Sequence, residues 1–196
     1  SEHGAERIGA LVSPHSTLEE LYLAGALVRG LGSQNIDHRL RHTEFAPAEG
    51  VRWLGTSIAS LSQLQAALIV GSNLRKDHPL FAGRIRQAAR NGAAVAAITS
   101  VALLGQSGAW AMPLAAASIG EPGEWVQLLA DVAAAVAGGK GDVAPVPGQA
   151  TEEAQAIAEA LLSGERKAIL LGNAAAQHPA ASSLLALCQW IGEQTG

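Results

Sequence analysis

Cysteine occurs once in this 196-residue chain, at position 188. A lone thiol rules out an internal disulfide, and it rules out a four-thiolate zinc or iron–sulfur site built by this chain alone. It is also consistent with a reducing compartment. Aromatic residues are only 4% of the sequence, so a core has to be assembled from Ala, Leu, Val and Ile. Charge is sparse too, at 15% against 48% hydrophobic residues, which is too apolar for a disordered chain. The 13 basic and 17 acidic residues leave a net charge of −4, so no general nucleic-acid footprint is present. No apolar run approaches the roughly 18 residues needed to span a bilayer. The opening Ser-Glu-His-Gly-Ala-Glu-Arg has no signal-peptide core. With no initial Met and a last Gln-Thr-Gly that breaks off within a pattern, the chain reads as a piece of something longer.

What is present is alternation of short apolar runs with helical patterns. Ile8–Val12, stopped by Ser-Pro, suits a buried strand. Ser16 and Glu19 form a capping box, and Leu18, Leu21, Tyr22, Gly25 and Val28 follow at helical spacing until Gly30 and Gly32. Residues 33–55 are polar and irregular. Ala66–Val70 is continuous and apolar, as in a parallel sheet covered on both faces. After a loop from Gly71 to Asp77, Pro79 opens a helix whose apolar face is Phe81, Ile85, Ala88 and Ala89. Asn91-Gly92 ends it, and Ala93–Ile98 is the next strand, completing a βαβ unit. Further on, a strand is expected at Leu114–Ile119, helices at Glu124–Ala137, Thr151–Leu162 and Pro179–Gln194, and a strand at Ala168–Leu171. The Pro- and Gly-containing stretch between the first two of these helices reads as a linker, 141–150.

The segment ALIVGSNLRKDHP (67–79) is echoed by AILLGNAAAQHP (168–179): strand, Gly, Asn, short loop, His-Pro, helix. The echo suggests two similar α/β layers, although a dozen residues are too few to establish duplication. A strand ending in Gly lets the backbone approach a ligand closely, and the next helix offers free amides and positive potential. Gly71, Ser72, Asn73 and Arg75 are therefore the candidate cofactor-binding residues, with Lys76 adding charge. The plainer alternative is a turn plus helix cap with solvated Arg and Lys, because strand–Gly–x–Asn lacks the specificity of a complete dinucleotide fingerprint.

Other candidates are weaker. His38 and His42 stand four apart with Asp37 nearby, but a zinc site needs a third ligand and is disfavoured by crowding arginines. His78 and His178 could act as bases at helix starts, yet no nucleophile motif accompanies either, so helix-start roles fit better. Cys188 falls in a helical pattern and reads as core. Arg75, Lys76, Arg84, Arg86 and Arg90 form a basic group that is either a solvated face or a docking face for an acidic partner. No catalytic residue and no metal ligand set emerges.

The ordered pieces STLEELYLAGALVRGLGSQNIDHRLR (16–41), ALIVGSNLRKDHPLFAGRIRQAARNGA (67–93) and AILLGNAAAQHP (168–179) resemble the molybdopterin oxidoreductases. More narrowly, LGSQNIDHRLR and GSNLRKDHPLFAGRIRQAA resemble the family formed by the large peripheral-arm subunit of NADH-quinone oxidoreductase, respiratory complex I. The match is to the C-terminal, molybdopterin-oxidoreductase-like region of that subunit. The resemblance implies an α/β fold of two interleaved Rossmann-like lobes, with parallel sheets flanked by helices, as in the middle domains of formate dehydrogenase and DMSO reductase. The outer lobe would comprise residues 1–60 plus 151–196, and the inserted lobe residues 61–140. In active relatives the Gly-Ser-Asn region contacts the pterin dinucleotide. A Cys, selenocysteine or Ser ligating molybdenum follows an Asn-x-Asp element. Here that stretch offers His42, Thr43 and Glu44, so the resemblance implies that molybdopterin is lost and any site at Gly71–Arg75 is vestigial. The family's iron–sulfur clusters belong to a separate N-terminal region, leaving no cofactor in this fragment. The function implied is a non-catalytic structural module of complex I, which passes electrons from NADH to quinone. Its partners would be other peripheral-arm subunits, not nucleic acid, and it would lie at the cytoplasmic face of a bacterial inner membrane without inserting into it. The alternatives are an active molybdopterin oxidoreductase domain and a general nucleotide-binding α/β domain, as in the middle domains of thiamine diphosphate enzymes.

Overall fold

The computed structural model describes residues 4–13, 15–38, 54–106 and 108–196. The chain divides into two compact units, Ser1–His42 and Thr43–Gly196.

In the first unit, strand β1 (Ala10–Leu11), helix α1 (Leu18–Gly30) and strand β2 (Ile36–Asp37) form a small parallel βαβ, preceded by a 3-10 turn at Ala5–Arg7. Asn35 and Ser33 tie the turn to β2: the Asn35 amide donates to the Glu6 carbonyl at 2.9 Å and the Ser33 hydroxyl to that of Ile8 at 2.6 Å. The capping box is Thr17 with Glu20, one residue later than the sequence suggests. The Ser16 amide is already taken by the Ser13 carbonyl in a turn, which leaves Thr17 as the extended residue before the helix. The expected apolar face also differs. Only Gly25 and Val28 are buried, whereas Leu18 is 80% and Tyr22 74% exposed, because a pair of two-residue strands is too narrow to cover a 13-residue helix.

The second unit is built on one parallel sheet of strands β3 (Ala66–Val70), β4 (Ala94–Thr99), β5 (Ala116–Ile119) and β6 (Lys167–Leu171), in the order β5-β4-β3-β6. β3 is central and every residue of it is buried, as its unbroken apolar run requires. After β3 come a one-turn helix, α2 (Leu74–Asp77), and α3 (Pro79–Arg90). A second one-turn helix, α4 (Val101–Leu104), follows β4. α5 (Trp125–Lys140) follows β5 through a 3-10 turn at Pro122–Glu124, and α6 (Glu152–Ser163) leads into β6. The chain ends in the short α7 (Asn173–Ala176) and in α8 (Ala181–Thr195). Alternate residues of the strands feed two cores. Leu68, Val70, Ala96 and Ile98 pack with α5, α6 and α8, while Ala67, Ile69, Val95 and Ala97 pack with α3 and the 3-10 turn at Ala59–Gln63.

The fold is thus α/β, with parallel sheets flanked by helices, but the expected lobes are not how the strands pair. β6, assigned from sequence to an outer lobe with residues 1–60, lies beside β3 in register along all five residues. The two echoed segments are neighbours in one sheet and not the hearts of two layers. Nor is 141–150 a free spacer. The buried Asp131 carboxylate accepts from the Gln149 amide at 2.8 Å and from Gln127 Nε2 at 2.9 Å, holding the stretch against α5. α5 itself runs through Gly138 and Gly139 to Lys140 and is closed by Gly141 in the left-handed conformation, φ 76°.

Candidate functional site

Because all four strands of this sheet run parallel, their C-terminal ends share one edge. The helix after β3 covers one face and the helix after β6 the other, so the loops following these two strands part at a topological switch point. That is where open α/β sheets bind ligands. The candidate residues Gly71, Ser72 and Asn73 are brought together there.

Their side chains are engaged by their own chain. The Ser72 hydroxyl donates to Asp77 Oδ2 at 2.7 Å, and the Asn73 amide N–H reaches the same oxygen at 3.1 Å. Asn73 Oδ1 caps α2 by accepting from the Lys76 amide at 3.2 Å, while its Nδ2 donates to the Leu103 carbonyl at 2.9 Å. Ser72 and Asn73 are both buried. The start of α7 is occupied as well, since the Ala174 and Ala175 amides point at the Gly71 carbonyl at 3.1 and 3.4 Å. Arg75 is exposed, and its guanidinium donates to the Ala109 carbonyl at 3.4 Å.

The glycines serve internal packing. Gly71 has φ 61°, and a Cβ there would lie 2.7 Å from the Trp125 ring and 2.8 Å from Ala175. A Cβ on Gly172 would lie 2.1 Å from Ser72 Cβ and 2.7 Å from the Gly71 carbonyl oxygen. The two loops therefore touch backbone to backbone, and the close approach that a cofactor would require of Gly71 is made by the chain's other strand–loop unit. A pterin dinucleotide held by the hydroxyl, the carboxamide or the α7 amides would have to displace these existing partners.

His178 is buried beside Trp125, with ring centroids 5.9 Å apart. Its Nδ1 accepts from the Ala180 amide at 3.0 Å, so Nε2 carries the proton and donates to the Pro122 carbonyl at 2.9 Å. With both nitrogens committed the ring is a clamp between two loops, not a base. His78 stacks on Phe81 at 5.4 Å and lines a cleft. That cleft, of about 550 Å3, runs along the free edge of β6 and is lined by Ser72, Gly172 and Asn173 of the two switch-point loops together with Phe81, Leu170 and Cys188. Burial pushes the Cys188 thiol up to about 12, so it stays protonated and unreactive near neutrality. Asp37 and His38 are exposed, with His38 Nδ1 3.7 Å from Asp37 Oδ1. The candidates His42, Thr43 and Glu44 lie outside the described residues. Sequence reasoning missed Gly172, Asp77 and Trp125 as parts of this site, although the echoed Gly-Asn at 172–173 carried a signal for the first.

The model of the molybdopterin oxidoreductase family matches residues 1–191. The chain belongs to that family. Among curated relatives it is 33% identical over 92 residues to the probable oxidoreductase YjgC of Bacillus subtilis, a match covering 43% of this chain and 9% of that protein. It is 30% identical over 95 residues to a putative formate dehydrogenase of Staphylococcus haemolyticus, covering 45% of this chain and 10% of the relative. Another putative formate dehydrogenase, from Staphylococcus aureus, is 29% identical over 94 residues, again 10% of its length. The matched region thus spans about a tenth of these relatives. Among the described residues no helix is long and apolar enough to cross a membrane.

Proposed function

We propose that this member of the molybdopterin oxidoreductase family is a non-catalytic structural module. In our reading it is part of the large peripheral-arm subunit of a bacterial respiratory complex I, which oxidises NADH and reduces quinone. The observation that carries the reading is the self-satisfied loop at the end of β3: Ser72, Asn73 and the amides opening α7 are committed to Asp77, Leu103 and Gly71. A module whose loop donors are already paired within the chain contributes shape and packing to the assembly. Redox centres would then belong to other parts of the protein, its neighbours would be the other peripheral-arm subunits, and it would sit at the cytoplasmic face of the inner membrane.

The test uses the full-length protein purified from its own host. Molybdenum and pterin far below one equivalent per chain, together with co-purifying NADH-oxidising subunits, is the expected result. Near-stoichiometric molybdenum and pterin would instead establish the active oxidoreductase reading suggested by the formate dehydrogenase names of relatives. Saturable dinucleotide binding abolished by Asn73→Ala would favour a general nucleotide-binding domain.

A further inference from the structure

Over residues 54–196 of the second unit, charge is separated by sheet face. Residues 54–120 contain five cations, Arg75, Lys76, Arg84, Arg86 and Arg90, and one carboxylate, Asp77, which is held by Ser72 and Asn73. Residues 121–196 contain nine carboxylates and only three cations, Lys140, Arg166 and Lys167. The first group lies on α2 and α3, and α3 covers one face of the sheet. On the opposite face α6 exposes Glu152, Glu153 and Glu159 and carries no base. In a chain of net charge −4, the described part of the second unit therefore has a basic side.

Among the described residues the basic side also lacks carboxylate partners. None of its five cations is ion-paired to a carboxylate among the described residues, and α3 contains no acidic residue with which to form the helical i, i+4 pairs that usually balance arginines. Between the arginines Leu80 is 71% exposed, and nothing lies within 4 Å of where a side chain on Gly83 would start. Four of the five cations are Arg, whose planar fork pairs bidentately with carboxylates.

We propose that the α2–α3 face is a docking surface for an acidic face of another protein chain. Arg84, Arg86, Arg90 and Lys76 would meet its carboxylates around an apolar contact at Leu80. A protein is favoured over a polyanion for two reasons. The face has no exposed aromatic residue for bases to stack on, and its centre is an exposed leucine beside an open glycine, which suits a desolvated anchor within a charged rim. Such a surface does not depend on the complex I assignment, only on the protein working within an assembly.

The experiment is zero-length carbodiimide cross-linking of the full-length protein in its native assembly, read by mass spectrometry. The expected product is an amide between Lys76 Nζ and an Asp or Glu of a different chain. The double variant Arg84→Glu, Arg90→Glu, with both residues exposed and the melting temperature as a folding control, is expected to weaken retention in the assembly about tenfold or more, and to lose the cross-link. The neutral pair Arg84→Gln, Arg90→Gln should fall between. The proposal is overturned if Lys76 is acetylated equally fast in the assembly and in the isolated protein, or if the charge-reversed variant assembles normally. It is also overturned if the basic face instead retains a DNA duplex, an anionic-lipid vesicle or a second copy of this chain, or if Lys76 cross-links only to carboxylates of its own full-length chain. A Lys76 cross-link to a chain foreign to complex I would sink the proposed function and leave the docking surface standing. Co-purifying complex I subunits with Lys76 unprotected would do the reverse.

Discussion

Replacing Gly172 with alanine probes the contact that closes the candidate site. Gly172 has φ −82° and ψ 179°, which alanine adopts freely, so any cost is steric. The new methyl would start 2.1 Å from Ser72 Cβ, 2.7 Å from the Gly71 carbonyl oxygen and 2.9 Å from Ser72 Cα. Carbon atoms pack at about 3.5–4.0 Å, so the two loops have to separate by roughly 1.5 Å. Two hydrogen bonds bridge that gap, Gly172 N–H to Val70 O at 2.8 Å and Ala174 N–H to Gly71 O at 3.1 Å. Overpacking of this kind costs about 1–3 kcal/mol, and each weakened hydrogen bond adds about 0.5–1.5 kcal/mol. The stiffer unfolded chain returns about 0.4–1 kcal/mol. The net expectation is a loss of about 3 kcal/mol, seen as a lower urea midpoint by far-ultraviolet circular dichroism with an unchanged slope. Gly192→Ala, in the interior of α8 with nothing within 4 Å, is the control and should stabilise by about 0.5–1 kcal/mol. If Gly172→Ala unfolds at the wild-type midpoint, the two loops are not in backbone contact.

Other expectations follow from the same geometry. The Cys188 thiol releases its proton at 9.0 when unfolded and at about 12 when folded, so above pH 9 the unfolded chain binds fewer protons and stability falls as pH rises. Relative to Cys188→Ala, the wild type should lose about 1.4 kcal/mol by pH 10 and a similar amount per unit up to about 12. A parallel pH profile for the two proteins would contradict the burial. Asn73→Ala removes the α2 cap and the tie to Leu103, and should cost about 1–2 kcal/mol in denaturant unfolding, whereas Arg75→Ala, an exposed side chain, should stay within about 0.5 kcal/mol. His178→Ala strands the Pro122 carbonyl and the Ala180 amide and is expected to cost about 2–3 kcal/mol; a thermal midpoint equal to wild type would rule out the clamp.

Local pattern was enough to locate the four strands and the four long helices of the second unit, though not its one-turn helices. The apolar run at 66–70 is β3, Pro79 does open α3, and Lys167–Leu171 and Ala181–Thr195 lie within a residue or two of the expected strand and helix. Such features follow from side-chain periodicity and backbone chemistry, which neighbouring residues carry by themselves. The family resemblance, too, was visible in the order of three short segments.

What only tertiary structure decided was pairing and occupancy. Nothing local tells Leu68 that its neighbour is Ile169, a hundred residues away, or that the echoed strands share a sheet. The same holds at the site. Gly-Ser-Asn reads equally well as a cradle awaiting a phosphate or as a turn already satisfied, because the donors are identical in both. The difference lies in whether Asp77, Leu103 and the Gly71 carbonyl reach those donors first, and that is set by how β3, β6 and the loop after β4 are stacked in space.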